Sequence, residues 1–154
     1  MFSYVFSLAL IAGFSMLQVR QAPESSDWLT PLERSRLLIE QKIDNRIKIY
    51  RSASERYKTS VAAAVKKQEY AALPAVLQSW TNLLDASRED IDASINRKKK
   101  SKTLKNYEIQ IRKSINDLQA FRTSVPVEIF DQFESWLNRA ERVRSSFVDI
   151  LFPK

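Results

Sequence analysis

Residues 70–95 read YAALPAVLQSWTNLLDASREDIDASI. Within them Tyr70, Leu73, Leu77, Trp80, Leu84 and Ile91 recur at steps of three and four, with Ser87 filling the place between the last two. This spacing draws one apolar stripe down one side of an α-helix. Its seven-residue repeat favours knobs-into-holes packing, of coiled-coil type, against an antiparallel neighbour. A proline is accommodated in the first turn of a helix but not in its interior. Pro74 therefore places the helix start at about Tyr70, after a tight turn near Gln68–Glu69, and the helix should fade near Ile95.

The flanking sequence repeats the pattern. Upstream, Thr30-Pro31-Leu32-Glu33 is a start signal: Thr30 can cap, Pro31 suits the first helical position, and Glu33 completes a capping box. Leu32, Ile39, Ile43, Ile47, Tyr50, Ala53, Tyr57, Val61 and Ala64 then share one face of a helix over Pro31–Lys67, about 55 Å long if unbroken. Such a helix either projects beyond its neighbours or breaks near Ser52–Ser54. Downstream, Ser101 or Thr103 can cap a third helix that carries Leu104, Tyr107, Ile111, Ile115, Leu118 and Phe121, with Glu108 and Arg112 paired on its exposed side. Ser124-Val125-Pro126 leads into a fourth, with Ile129, Phe133, Trp136, Ala140, Val143, Phe147 and Ile150 on its stripe. The expected fold is all-α: an up-down-up-down antiparallel four-helix bundle with a long first helix, preceded by an N-terminal hydrophobic leader.

One glycine, Gly13, serves all 154 residues, and it lies in that leader. Without glycine, tight positive-φ turns and phosphate-cradling loops are hard to build. Residues 2–19, FSYVFSLALIAGFSMLQV, contain no charge before Arg20. The division is 1–22 as signal peptide or membrane anchor, 23–29 as linker and 30–154 as helical bundle domain. Phe2–Ala12 has the length of a signal-peptide core, and eighteen residues barely span a bilayer. Both readings of the leader make the location extracytoplasmic, that is periplasmic, secreted or membrane-anchored; the remaining alternative is a cytosolic protein with an apolar first helix. Trp28, near the end of the polar linker, reads as folding back onto the end of the bundle, the alternative being an interfacial anchor for a leader held in the membrane.

Chemical equipment is sparse. The chain has no His and no Cys, which removes the commonest general base, the thiol nucleophile and the soft metal ligands. The expectation is no enzyme, no catalytic residue, no metal, no cofactor and no small-molecule substrate. Asp85 and Glu89 share a helix face but read as solvated surface rather than as a weak cation site. Tyr57, Tyr70, Trp80, Tyr107, Phe133, Trp136 and Phe147 fall on the core stripes and are spoken for by packing.

The sharpest local signal is basic. The chain carries 25 Lys and Arg against 18 Asp and Glu, a net charge of +7. Residues 97–105, RKKKSKTLK, concentrate Arg97, Lys98, Lys99, Lys100, Lys102 and Lys105 with no acid among them. Like charges four apart repel on a helix, so the run is expected to be a loop or a frayed helix end. These readings favour an exported helical bundle that acts as an interaction or scaffold module of the cell envelope, with a protein partner. The alternative is an anion-binding accessory protein that contacts nucleic acid or an acidic membrane through the 97–105 segment.

Overall fold

The computed structural model describes residues 28–154; the leader, 1–22, and linker residues 23–27 lie outside the described residues. The described chain is a helical bundle without strands, and it has five α-helices where four were expected: α1 (Pro31–Ile39), α2 (Ile43–Lys67), α3 (Leu73–Ser94), α4 (Lys102–Arg122) and α5 (Phe130–Leu151). Single 3-10 turns at Tyr70–Ala72 and Val127–Ile129 lead into α3 and α5.

The extra helix comes from a break in the expected first one. It lies at residues 40–42 and not near Ser52–Ser54, through which α2 runs uninterrupted. The capping box starts α1 as read: Thr30 Oγ1 accepts from the Glu33 amide, and Glu33 Oε2 accepts from the Thr30 amide at 2.8 Å. At the other end Glu40 is extended, and its carboxylate accepts from the Lys42 amide at 2.9 Å and from Asn45 Nδ2 at 3.2 Å. No glycine or proline forces the turn; tertiary contacts do. Arg56 on α2 reaches back to Glu33 at 2.7 Å, and Tyr57 donates its hydroxyl hydrogen to the Trp28 carbonyl at 2.7 Å. Trp28 and Leu29 are buried with the core, beside the middle of α2. The fold-back takes Leu32 and Ile39 out of the stripe to which their spacing assigned them, and both are exposed, Ile39 at 80%.

Gln68 closes α2 in the left-handed region, at φ 58° and ψ 31°. This is a place where glycine is usual. Its amide and that of Glu69 satisfy the carbonyls of Val65 and Ala64. α3 ends at Ile95, as expected from its stripe.

The side-chain bonds give the relative directions of the long helices. Between α2 and α3, Tyr50 donates to Asp90 and Trp80 Nε1 donates to Ser54 Oγ at 2.9 Å, so residue numbers rise on one helix as they fall on the other. The same antiparallel relation links α4 and α5 through Glu108–Arg144 and Arg122–Glu134. Between α2 and α4 the numbers rise together: Asp44 accepts from Ser101, the Arg51 carbonyl from Gln110, and Lys58 pairs with Asp117. Asp85–Arg139 and the Trp80–Trp136 ring contact, 4.3 Å between centroids, do the same for α3 and α5. Thus α2 and α5 each pack on both α3 and α4, and the consecutive helices α3 and α4 stand across the core from one another.

Trp80, Trp136, Tyr107, Phe133 and Phe147 are fully buried at the centre. Each removes on the order of 150–250 Å² from water, which makes this aromatic layer the main apolar contribution to the fold. The polar atoms among them are matched where the geometry allows: Tyr107 and Ser87 share a hydrogen bond of 3.1 Å, and Ser87 also donates to the Leu84 carbonyl. Glu108 departs from its expected place on an exposed face. It is only 8% exposed. Its nearest cation is Arg144 on α5, at 2.9 Å, rather than Arg112, at 4.0 Å.

Candidate functional site

The basic run bridges the ends of α3 and α4. α3 stops when Ile95 turns extended after its amide bonds to the Ile91 carbonyl. Asn96 then organises the crossing: its side-chain oxygen accepts from the Lys98 amide at 3.0 Å and its carbonyl from the Lys99 amide at 3.1 Å. Asn and Asp favour such turns because their short side chains reach the backbone two residues on. Of the two expected caps, Ser101 serves: its Oγ accepts from the Leu104 amide at 3.1 Å and donates to Asp44 at 2.7 Å. That second bond pins the crossing to the start of α2.

The six basic residues are therefore split by the fold. Arg97, Lys98, Lys99 and Lys100 lie in the loop, and Lys102 and Lys105 stand on the first turn of α4. All six are exposed. Arg97 is neutralised by Asp92, one of the carboxylates at the end of α3. The five lysines have no ion pair among the described residues, and Lys100 sits 6.0 Å over the ring of Phe152 at the chain's end. The first turn of α4 contains no acid. A helix N-terminus carries positive partial charge and favours anionic side chains. Two lysines there, next to three more, work against the helix instead.

A second basic surface was not legible in the sequence. Lys48, Arg51 and Lys58 on α2 and Lys113 on α4 line a shallow groove between these two helices, with Glu55 and Gln110 on its floor. Gln110 Nε2 donates to Glu55 at 2.8 Å and to the Arg51 carbonyl at 3.0 Å, and Lys58 is paired with Asp117. The four cations are scattered over 66 residues of sequence, and only the side-by-side packing of α2 and α4 gathers them. No local charge run could have announced it.

Two of the four acids clustered near the end of α3, Asp85 and Asp90, have arginine partners on neighbouring helices. Asp90 takes both Arg46, at 2.6 Å, and the Tyr50 hydroxyl, and Asp85 faces Arg139 at 3.5 Å while Glu89 is exposed. Among the described residues no three His, Cys, Asp or Glu gather as a metal site would require, and no helix is long and apolar enough to cross a membrane. No family model, curated protein or solved structure matches the chain.

Proposed function

We propose that the chain is a non-enzymatic interaction module of the cell envelope, exported by its N-terminal leader, with its four long helices arranged as an up-down-up-down bundle that presents one end to a protein partner. What carries this reading is the distribution of charge. Carboxylates at helix contacts are taken up by Arg46, Arg56, Arg139 and Arg144. Unpaired positive charge gathers instead at the α3–α4 crossing. A photo-crosslinking residue at Lys99, in intact cells, is expected to give a discrete envelope adduct that the same probe at Glu69, on the opposite end, does not give. Identical adducts at both positions would overturn the reading. For the export step, a C-terminally tagged full chain should fractionate outside the cytoplasm; a full-length soluble cytoplasmic product would rule that out.

A second reading, anion binding through Lys98, Lys99, Lys100, Lys102 and Lys105, is favoured by the position of Lys102 and Lys105 on the first turn of α4. Charges that weaken a helix end are expected where function requires them, and a bound anion would relieve their repulsion. Phosphate-directed binding falls steeply with salt, by roughly one unit of log–log slope per contact. Replacing Lys98, Lys99 and Lys100 with Gln should flatten that dependence on duplex DNA or on acidic vesicles. An unchanged slope on both would eliminate this reading and leave the first.

A further inference from the structure

We propose that the basic end of the bundle seats on an anionic lipid bilayer, with Lys98, Lys99 and Lys100 among the headgroups and Leu38, Ile39 and Phe152 entering the interface. The inference rests on the anion-binding reading and names its target. Five large apolar side chains are exposed among the described residues: Leu32, Leu38, Ile39, Val127 and Phe152. Three of them lie toward the same end of the bundle as the lysine-rich crossing. Phe152 lies under Lys100. Leu38 and Ile39 end α1 just before Asp44, whose carboxylate holds Ser101 of the crossing.

Cations alone would suit any polyanion. Cations rimmed by exposed Leu, Ile and Phe suit a surface that is anionic outside and apolar a few ångströms below. Peripheral binding of this kind scales with buried apolar area plus attraction to acidic headgroups, the latter about 1 kcal/mol per Lys near the surface. A nucleic acid would use the charges and leave Ile39 and Leu38 idle. The chain's connectivity fits as well. The uncharged stretch at residues 2–19 is separated from Trp28 by residues 20–27. These eight residues reach at most about 28 Å when extended. Trp28 is bonded to Tyr57, fourteen residues along α2 from its start at the basic end, and so lies back from that end by roughly 21 Å. A leader held in the bilayer can thus connect to Trp28 while the basic end rests on the same surface.

The absence of cysteine makes the test clean, because one introduced Cys carries the only label. Full-length protein labelled at Asn96→Cys or at Glu69→Cys is mixed with phosphatidylcholine vesicles, with and without phosphatidylglycerol, that carry a headgroup-level nitroxide lipid. The expected result is quenching at Asn96 on the acidic vesicles, little on neutral ones, and none at Glu69. Changing Lys98, Lys99 and Lys100 to Gln should raise the lipid concentration for half-maximal quenching roughly a hundredfold, at about fivefold per charge. Leu38→Gln with Ile39→Gln should also weaken it, and should leave duplex DNA binding and the melting curve unaltered. An unquenched Asn96 label on acidic vesicles overturns the proposal, as does equal quenching on neutral ones. If the Gln variant then loses salt-sensitive DNA binding, the anion reading stands and its target is nucleic acid; if it loses neither, both readings fall.

Discussion

Arg144, on α5, donates through Nε to the carboxylate of Glu108, on α4, at 2.9 Å, and the carboxylate is almost wholly shielded from water. Arg144 also reaches Glu141 on its own helix at 2.7 Å, so one guanidinium ties two acids. Removing one partner of a shielded pair leaves the other charge uncompensated, whereas removing both often costs little. Arg144→Met should lower unfolding free energy by about 2 kcal/mol, the lower side of the usual range because Arg144 is partly exposed. Adding Glu108→Met should recover most of that loss. A urea-denaturation double-mutant cycle measures it, and additive losses would show that the pair is not coupled.

Trp80 and Trp136 touch at the centre of the bundle but differ in how their indole N–H groups are served. Trp80 Nε1 donates to Ser54, while Trp136 Nε1 has no partner among the described residues. Either residue changed to Ala should cost about 3–5 kcal/mol. Changed to Phe they should part company. Trp80→Phe strands the Ser54 hydroxyl and should cost about 1 kcal/mol more than Trp136→Phe, which deletes an unmatched donor. Equal costs from thermal unfolding would mean that the Ser54 bond contributes nothing net.

The lysines at the α3–α4 crossing support little of the core. Changing Lys98, Lys99 and Lys100 to Gln should move stability by no more than about 0.5 kcal/mol. Lys102→Glu should go further and stabilise by about 0.5 kcal/mol, because an acid replaces a cation at the positive end of α4. The same change should weaken binding to acidic vesicles. Melting curves beside vesicle titrations would show the two effects with opposite sign.

Glu33 supplies a pH dependence confined to α1. Partial burial works to raise its carboxyl, but hydrogen bonds from Arg56 and Thr30 outweigh it and hold the group below the usual carboxylate range. A depressed folded-state value means that the contribution is complete above the unfolded value, about 4.5, and is lost as pH falls through the folded one. The NMR signals of Arg56 Nε–H and the Thr30 amide, which both point at Glu33, should therefore titrate together in the acid range below pH of about 4.5. In Glu33→Gln they should not. A transition centred above that pH would contradict the assignment.

The helical class of the chain, the C-terminal end of α3, the Ser101 cap and the burial of both central tryptophans follow from spacing and capping, which act over three or four residues; the start of α3 falls at Leu73 and not at Tyr70, because a 3-10 turn takes up residues 70–72. What escaped was set by contacts between distant residues. The turn at 40–42 has no sequence breaker; it exists because Arg56 and Tyr57 hold Trp28 and Glu33. Glu108 looked like half of a surface pair with Arg112 because Arg144, 36 residues away, is invisible to local periodicity. The groove of Lys48, Arg51, Lys58 and Lys113 needed the parallel pairing of α2 with α4, which no stripe encodes. Of the six basic residues singled out by their density, five proved unpaired and Arg97 did not, since Asp92 lies within reach only once α3 has ended.

The placement of α3 and α4 on opposite sides of the core divides the molecule in a way that the helix count does not. α2 with α3, and α4 with α5, are two self-contained antiparallel hairpins whose internal contacts are near in sequence, and such local contacts form fastest. The hairpins meet along the two parallel seams, and a single covalent link, residues 95–101, joins them. Pairing within each hairpin is therefore expected to precede docking along the seams. A cut at the lysines would leave two fragments able to find each other. Were the link drawn straight, each half could instead dock on the complementary half of a second chain, and the molecule would exchange halves to become a dimer without making a single new kind of contact.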